Sequence, residues 1–187
     1  LLRQDPWTCL ASFILSSTKQ IVQIQQVYQL LCREYGNPVP TPPHFRQAHA
    51  FPTPQALANA GEPALRQCRM GFRAKYLHQA ASHVANGSIN LESLRSLPLP
   101  IARRTLTTLP GVGPKIADCA LLFSCDQPRA FPIDVWIART LRKLYFKDQP
   151  VPLPKLQQFA EHHFGPFAGL AQQYLFHQAR KPRQQNP

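Results

Sequence analysis

The amino-acid sequence predicts an all-α fold. Apolar residues recur at three- and four-residue spacing over most of the chain, and no stretch alternates with period two long enough to specify a strand. Proline and glycine clusters break this pattern at intervals suited to short helices. At 187 residues the chain can bury a sizeable core as one domain, with room for two lobes.

Each element follows from local signals. Asp5-Pro6 supplies an N-cap and a first-turn proline for a helix over 7–15. Ile21, Ile24, Val27, Tyr28 and Leu31 lie on one helical face, and Gly36 stops that helix. Residues 37–54 are proline-rich and are expected to form an irregular surface loop. Thr53-Pro54 caps a short helix, and Glu62-Pro63 opens another that ends near Gly71. Helices are expected over 73–85, 91–97 and 101–108, then over 114–123 after a tight turn. Beyond "SCDQPRAFPID" the pattern resumes over 135–145, and beyond "KDQPVPLP" over 153–164 and 167–179.

Charge narrows the function. Lys and Arg number 21 against 9 Asp and Glu, a net charge of +12, and the excess is not confined to a tail. A polyanionic partner is expected, with nucleic acid the first candidate. No apolar run reaches the length of a membrane span, and no secretory signal opens the chain. Cys9, Cys32, Cys68, Cys119 and Cys125 are scattered, without the close spacing of a zinc or iron–sulfur quartet, so reduced intracellular thiols and no cofactor are expected. His162 and His163 are adjacent, so a helix points them apart, as exposed histidines rather than a ligand pair.

The segment "LPGVGPKIADC" (109–119) runs a proline-glycine turn straight into a helix. Gly111 and Gly113 let the backbone bend and present amide N–H groups at a helix N-terminus, where an anion is favoured. With the preceding helix this makes a helix–hairpin–helix that can grip phosphate without reading sequence. Lys115 at the helix start is either a solvated charge or a nucleophile. Asp134 in "FPIDVWIAR" is accounted for as an N-cap when that segment is taken alone. Taken together, the pair offers an amine that can attack the anomeric carbon of a sugar and a carboxylate that can stabilise the positive charge built there.

"LPGVGPKIADC" followed by "FPIDV" resembles the helix–hairpin–helix, Gly/Pro-Asp superfamily of DNA glycosylases, and within it the 8-oxoguanine DNA glycosylase family. "LLRQDPWTCLASFILSS", "GFRAKY" and "GPFAGLAQQYLF" extend the similarity over essentially the whole chain. The resemblance implies a two-lobed helical fold with a DNA cleft between the lobes. The single domain 1–187 would then divide into the N-terminal helix with 150–187 as one lobe and about 20–145 as the other, with the helix–hairpin–helix at about 101–123.

It also implies a bifunctional glycosylase and abasic-site lyase excising oxidised purine opposite cytosine. Lys115 would form a Schiff base and Asp134 would assist cleavage. Gly111, Val112 and Gly113 would hold the DNA backbone, Phe72 would wedge into the duplex, and Arg73 would contact the orphaned cytosine. Cys119, Gln172, Phe176, Thr18 and Trp136 would surround the extruded base. Read without the family, Cys119 and Phe176 are ordinary core residues. A structural cation is expected at the carbonyls of Thr107, Leu109 and Val112. The partner would be double-stranded damaged DNA, bound by an intracellular monomer.

Four departures accompany the resemblance. The family's N-terminal β-rich domain, which carries the carbonyl that detects oxidised guanine, would end just before Leu1. Thr18 replaces an asparagine, Gln23 a cytosine-reading arginine, and Trp136 a histidine near the lesion's phosphate. Two other readings stay open: an endonuclease III-like enzyme for oxidised pyrimidines, disfavoured by the cysteine-free tail, and a non-catalytic DNA-binding module.

Overall fold

A computed structural model describes residues 1–16 and 20–180. It is helical as expected: α1 (Pro6–Ser16), α2 (Ile21–Tyr35), α3 (Pro54–Leu65), α4 (Arg73–Ala85), α5 (Leu99–Thr107), α6 (Pro114–Ser124), α7 (Val135–Tyr145), α8 (Leu153–Phe164) and α9 (Ala168–Arg180). The capping signals act as the sequence implies. The Asp5 carboxylate accepts from the Thr8 amide at 2.7 Å, the Thr53 hydroxyl from the Ala56 amide at 3.1 Å, and Asp134 caps α7.

Three segments differ from expectation. Residues 37–54 are not wholly irregular, because β1 (Pro38–Val39) pairs antiparallel with β2 (Ala48–His49). Pairs this short leave no alternation to detect. The helices expected on either side of Glu62-Pro63 form one element kinked at Gly61 (φ 76), which continues as a π turn over Arg66–Met70. Over 91–97 only a 3₁₀ turn forms, Glu92–Arg95, opened by Asn90, whose side-chain oxygen takes the amides of Glu92 and Ser93.

Buried side chains form two cores. The first is built from α1 to α6, with Leu10, Leu31, Leu57, Leu77 and Leu121 wholly inaccessible. Each such side chain contributes about 1.5–3 kcal/mol on burial. The second gathers Phe131, Ile133, Ile137, Leu141, Leu156 and Ala160 from α7, α8 and the segment before α7. The cores divide differently from the expected lobes: α1 packs with α6 and α4 in the first, and α7 belongs to the second. The amphipathic face of α7 is the cause, since Ile137, Ala138 and Leu141 all turn toward α8 and α9. Among the described residues, no helix is long and apolar enough to cross a membrane.

Candidate active site

The turn between α5 and α6 is built by two glycines of different kinds. Gly111 is left-handed (φ 81) and exposed, and a Cβ there would meet the Tyr76 ring at 2.5 Å. Only glycine fits that position. Gly113 is extended (φ −87, ψ 177), forms the N-cap of α6, and faces open space. Val112 is buried between them, and its amide donates to the Leu109 carbonyl at 3.0 Å. One of the three carbonyls expected to hold a cation is therefore already engaged within the turn. The amides of Gly111 and Gly113 make no hydrogen bond among the described residues, which leaves two donors at a helix N-terminus.

Lys115 is the second residue of α6 and half-buried. Its ammonium nitrogen lies 5.1 Å from the centroid of the Phe13 ring, a cation–π contact from α1 that steadies the side chain. It lines a cavity of about 620 Å3 walled mainly by Ile116, Ile133, Leu153 and Pro154, with Arg103 and Gln157 as polar neighbours. Asp134 caps α7 through Oδ1, which accepts from the Ile137 amide at 2.8 Å. Its second oxygen has no partner among the described residues.

Cys119 feels both groups electrostatically. It is buried one turn beyond Lys115, and burial pushes its thiol up to about 12, with Lys115 pulling down and Asp118, Cys9 and Asp134 pushing up. At neutral pH the thiol is protonated and offers a soft, neutral surface.

The remaining expected residues have partners of their own. Gln172 is buried on α9, and its side-chain amide donates to the Pro132 carbonyl at 3.0 Å while its oxygen accepts from Gln173. It thus braces the segment that leads into Asp134. Phe176, one turn on, is half-buried against the second core, with the Arg180 guanidinium 5.4 Å from its ring centroid. Trp136 is 47% exposed and stacks with the Arg139 guanidinium at 5.7 Å. Thr18 lies outside the described residues. The Gln23 side chain accepts from the Gln20 amide at 3.2 Å, so it serves the N-terminus of α2.

Phe72 stands 56% exposed ahead of α4, edge-on to Tyr76 at 5.9 Å, and the Arg73 guanidinium lies 4.5 Å over its ring. Arg73 is itself buried. Since Tyr76 also seats on Gly111, the exposed Phe72 and the α5–α6 turn share one support. Tyr76, Phe13 and Arg103 were not singled out from the sequence. A signal existed only for Tyr76, which stands four residues after Phe72 and so shares its helical face.

Residues 11–162 match the model of the HhH-GPD superfamily base excision DNA repair protein. An N-glycosylase/DNA lyase OGG1 of Arabidopsis thaliana is 36% identical to this chain, covering 94% of it and 50% of the relative. A probable N-glycosylase/DNA lyase of Methanothermobacter thermautotrophicus is 29% identical, covering 96% and 62%. The solved Clostridium acetobutylicum 8-oxoguanine glycosylase/lyase, in complex with double-stranded DNA containing cytosine opposite 8-oxoguanine, superposes with a TM-score of 0.89 at 37% identity, covering 96% of this chain and 61% of that one. The chain spans about half to three-fifths of the length of these relatives.

Proposed function

The chain belongs to the HhH-GPD superfamily of base excision DNA repair proteins, and from that membership we propose that it is the catalytic part of a DNA glycosylase with abasic-site lyase activity. The substrate is double-stranded DNA carrying an oxidised purine, 8-oxoguanine opposite cytosine. The protein acts as a monomer, with the two cores as the lobes of one domain and the DNA held between them.

One observation carries this reading: Lys115, which lines an apolar cavity at the start of α6, and Asp134, the N-cap of α7 in the other core, both bear electrostatically on the buried Cys119 thiol. The free amides of Gly111 and Gly113 take a phosphate of the lesion strand, while Phe72 fills the gap left by the extruded nucleotide. Lys115, having given its ammonium proton to solvent, attacks C1′ through its amine as the base departs with the bonding electrons. The charge that builds on the sugar is stabilised by the Asp134 carboxylate. Loss of the ring oxygen's bond to C1′ gives a Schiff base, and removal of a C2′ proton then expels the 3′ phosphate by β-elimination.

Cys119, Phe176 and Trp136 wall the base site, and Gln172 reads the base edge by exchanging its bond to Pro132. Base release is the direct test. Incubation with an 8-oxoguanine:cytosine duplex should liberate free 8-oxoguanine and nick that strand, and an intact duplex after single-turnover incubation would contradict the proposal.

A further inference from the structure

Asp118 is fully buried on α6, just under one turn beyond Lys115. Its Oδ1 accepts from Arg103 Nε at 2.7 Å, and Arg103 Nη2 donates to Glu161 Oε1 at 2.6 Å. Gln157, one turn earlier on α8, donates to the same Glu161 oxygen at 3.0 Å. Arg103 and Asp118 sit on helices of the first core, Glu161 and Gln157 on a helix of the second. Among the described residues, the most extensive helix packings fall within one core, such as α1 with α6, α5 with α6, and α7 with α9. The Arg103 guanidinium thus links the helix that carries Lys115 to the core that follows Asp134, beside the close approach of Gly169 on α9 to Leu122 on α6.

This cluster is not explained by stability. Burial opposes the charge on Asp118 and lifts its carboxyl to about 6 against the pull of Arg103, and its Oδ2 has no hydrogen-bond partner among the described residues. Well-packed apolar side chains at such places are commonly as stable or more so. What a planar guanidinium supplies instead is geometry, because its fork fixes the separation and orientation of two carboxylates. A nucleophile and a carboxylate acting on one sugar from separate cores need that kind of fixing, since a displacement of about 1 Å can cost about a hundredfold in rate.

We propose that Arg103 is a positioning residue: through Asp118 and Glu161 it holds the helix of Lys115 in register with the core that presents Asp134. The inference rests on the reading of Lys115 and Asp134 as partners at one sugar. Arg103 also lines the cavity beside Lys115, so direct contact with a DNA phosphate is the competing role.

The test compares wild type, Arg103→Met, Arg103→Lys and Glu161→Gln on a duplex with an abasic site. Two quantities are read: duplex affinity as a function of salt, and the single-turnover rate of borohydride trapping at saturating protein. Arg103→Met and Glu161→Gln should each trap about tenfold or more slowly while keeping wild-type affinity and salt slope, with Arg103→Lys recovering part of the rate. Wild-type rates in both variants overturn the inference and leave the lysine chemistry in place. A salt slope lowered by about one in Arg103→Met, at unchanged rate, makes Arg103 a phosphate ligand and also overturns it. Absence of trapping by wild type overturns the reading of Lys115 and the inference with it. Glu161→Gln is nearly isosteric and leaves the Arg103–Asp118 pair intact, so it decides the matter if Arg103→Met fails to fold.

Discussion

The ring of Tyr76 rests on Gly111, with its Cγ 2.5 Å and its Cδ2 2.6 Å from where a Cβ would stand. This contact joins α4, and the exposed Phe72 that precedes it, to the turn between α5 and α6. Gly111→Ala must strain a left-handed residue and also displace an aromatic ring. Together these should cost about 2–4 kcal/mol of stability and shift urea unfolding accordingly. Adding Tyr76→Ala should recover the ring's share of the steric cost and leave the Cβ contact at 2.9 Å and the backbone part, so the double variant should be non-additive. Additive costs would mean that the ring does not rest there.

Trp136 gives an optical handle on the DNA interface. The chain has two tryptophans. Trp7 is buried, its indole N–H donating to the Pro52 carbonyl at 2.9 Å, while Trp136 is exposed beside Asp134. Binding an abasic-site duplex should quench the exposed fluorophore and shield it from acrylamide. Trp136→Ala should weaken that binding by about 1–3 kcal/mol, and Trp136→Phe by less, as stacking on a base predicts. Unchanged emission on saturation with DNA would remove Trp136 from the interface.

Asp118 sets a pH dependence of stability. Its folded carboxyl titrates near 6, lifted by burial from 3.8, so the folded state holds a proton that the unfolded chain releases earlier. The contribution of this group is greatest below pH 3.8, falls as pH rises, and is lost above about 6. The stability difference between wild type and Asp118→Asn should therefore shift against wild type by about 1–3 kcal/mol between pH 4 and pH 6.5, followed by urea unfolding. A difference flat across that window would place the Asp118 pKa at its ordinary value.

The helices around the centre were legible because local signals specify them. Asp5-Pro6, Thr53-Pro54 and Asp134 mark starts, and α4, α7 and α8 have the bounds their periodicity implies. The all-α class followed from the same pattern. Harder to read were features decided by a single backbone angle or a distant partner. Gly61 kinks a helix instead of ending it because the residues after it resume helical bonding. Phe13 meets Lys115, and Arg103 meets Glu161, across separations that no periodicity encodes. Gln172 presents the opposite case: its place on a helix face is plain in the sequence, yet the bond that orients it, to Pro132, lies forty residues away.

Covalent trapping tests the central claim most directly. The protein is mixed with an 8-oxoguanine:cytosine duplex and, separately, with an abasic-site duplex, and each is reduced with borohydride. A protein–DNA adduct on both duplexes, lost in Lys115→Gln while that variant still binds duplex, is the predicted result. An adduct that persists in Lys115→Gln, or none at all from the wild-type protein, would contradict a lysine nucleophile at the start of α6.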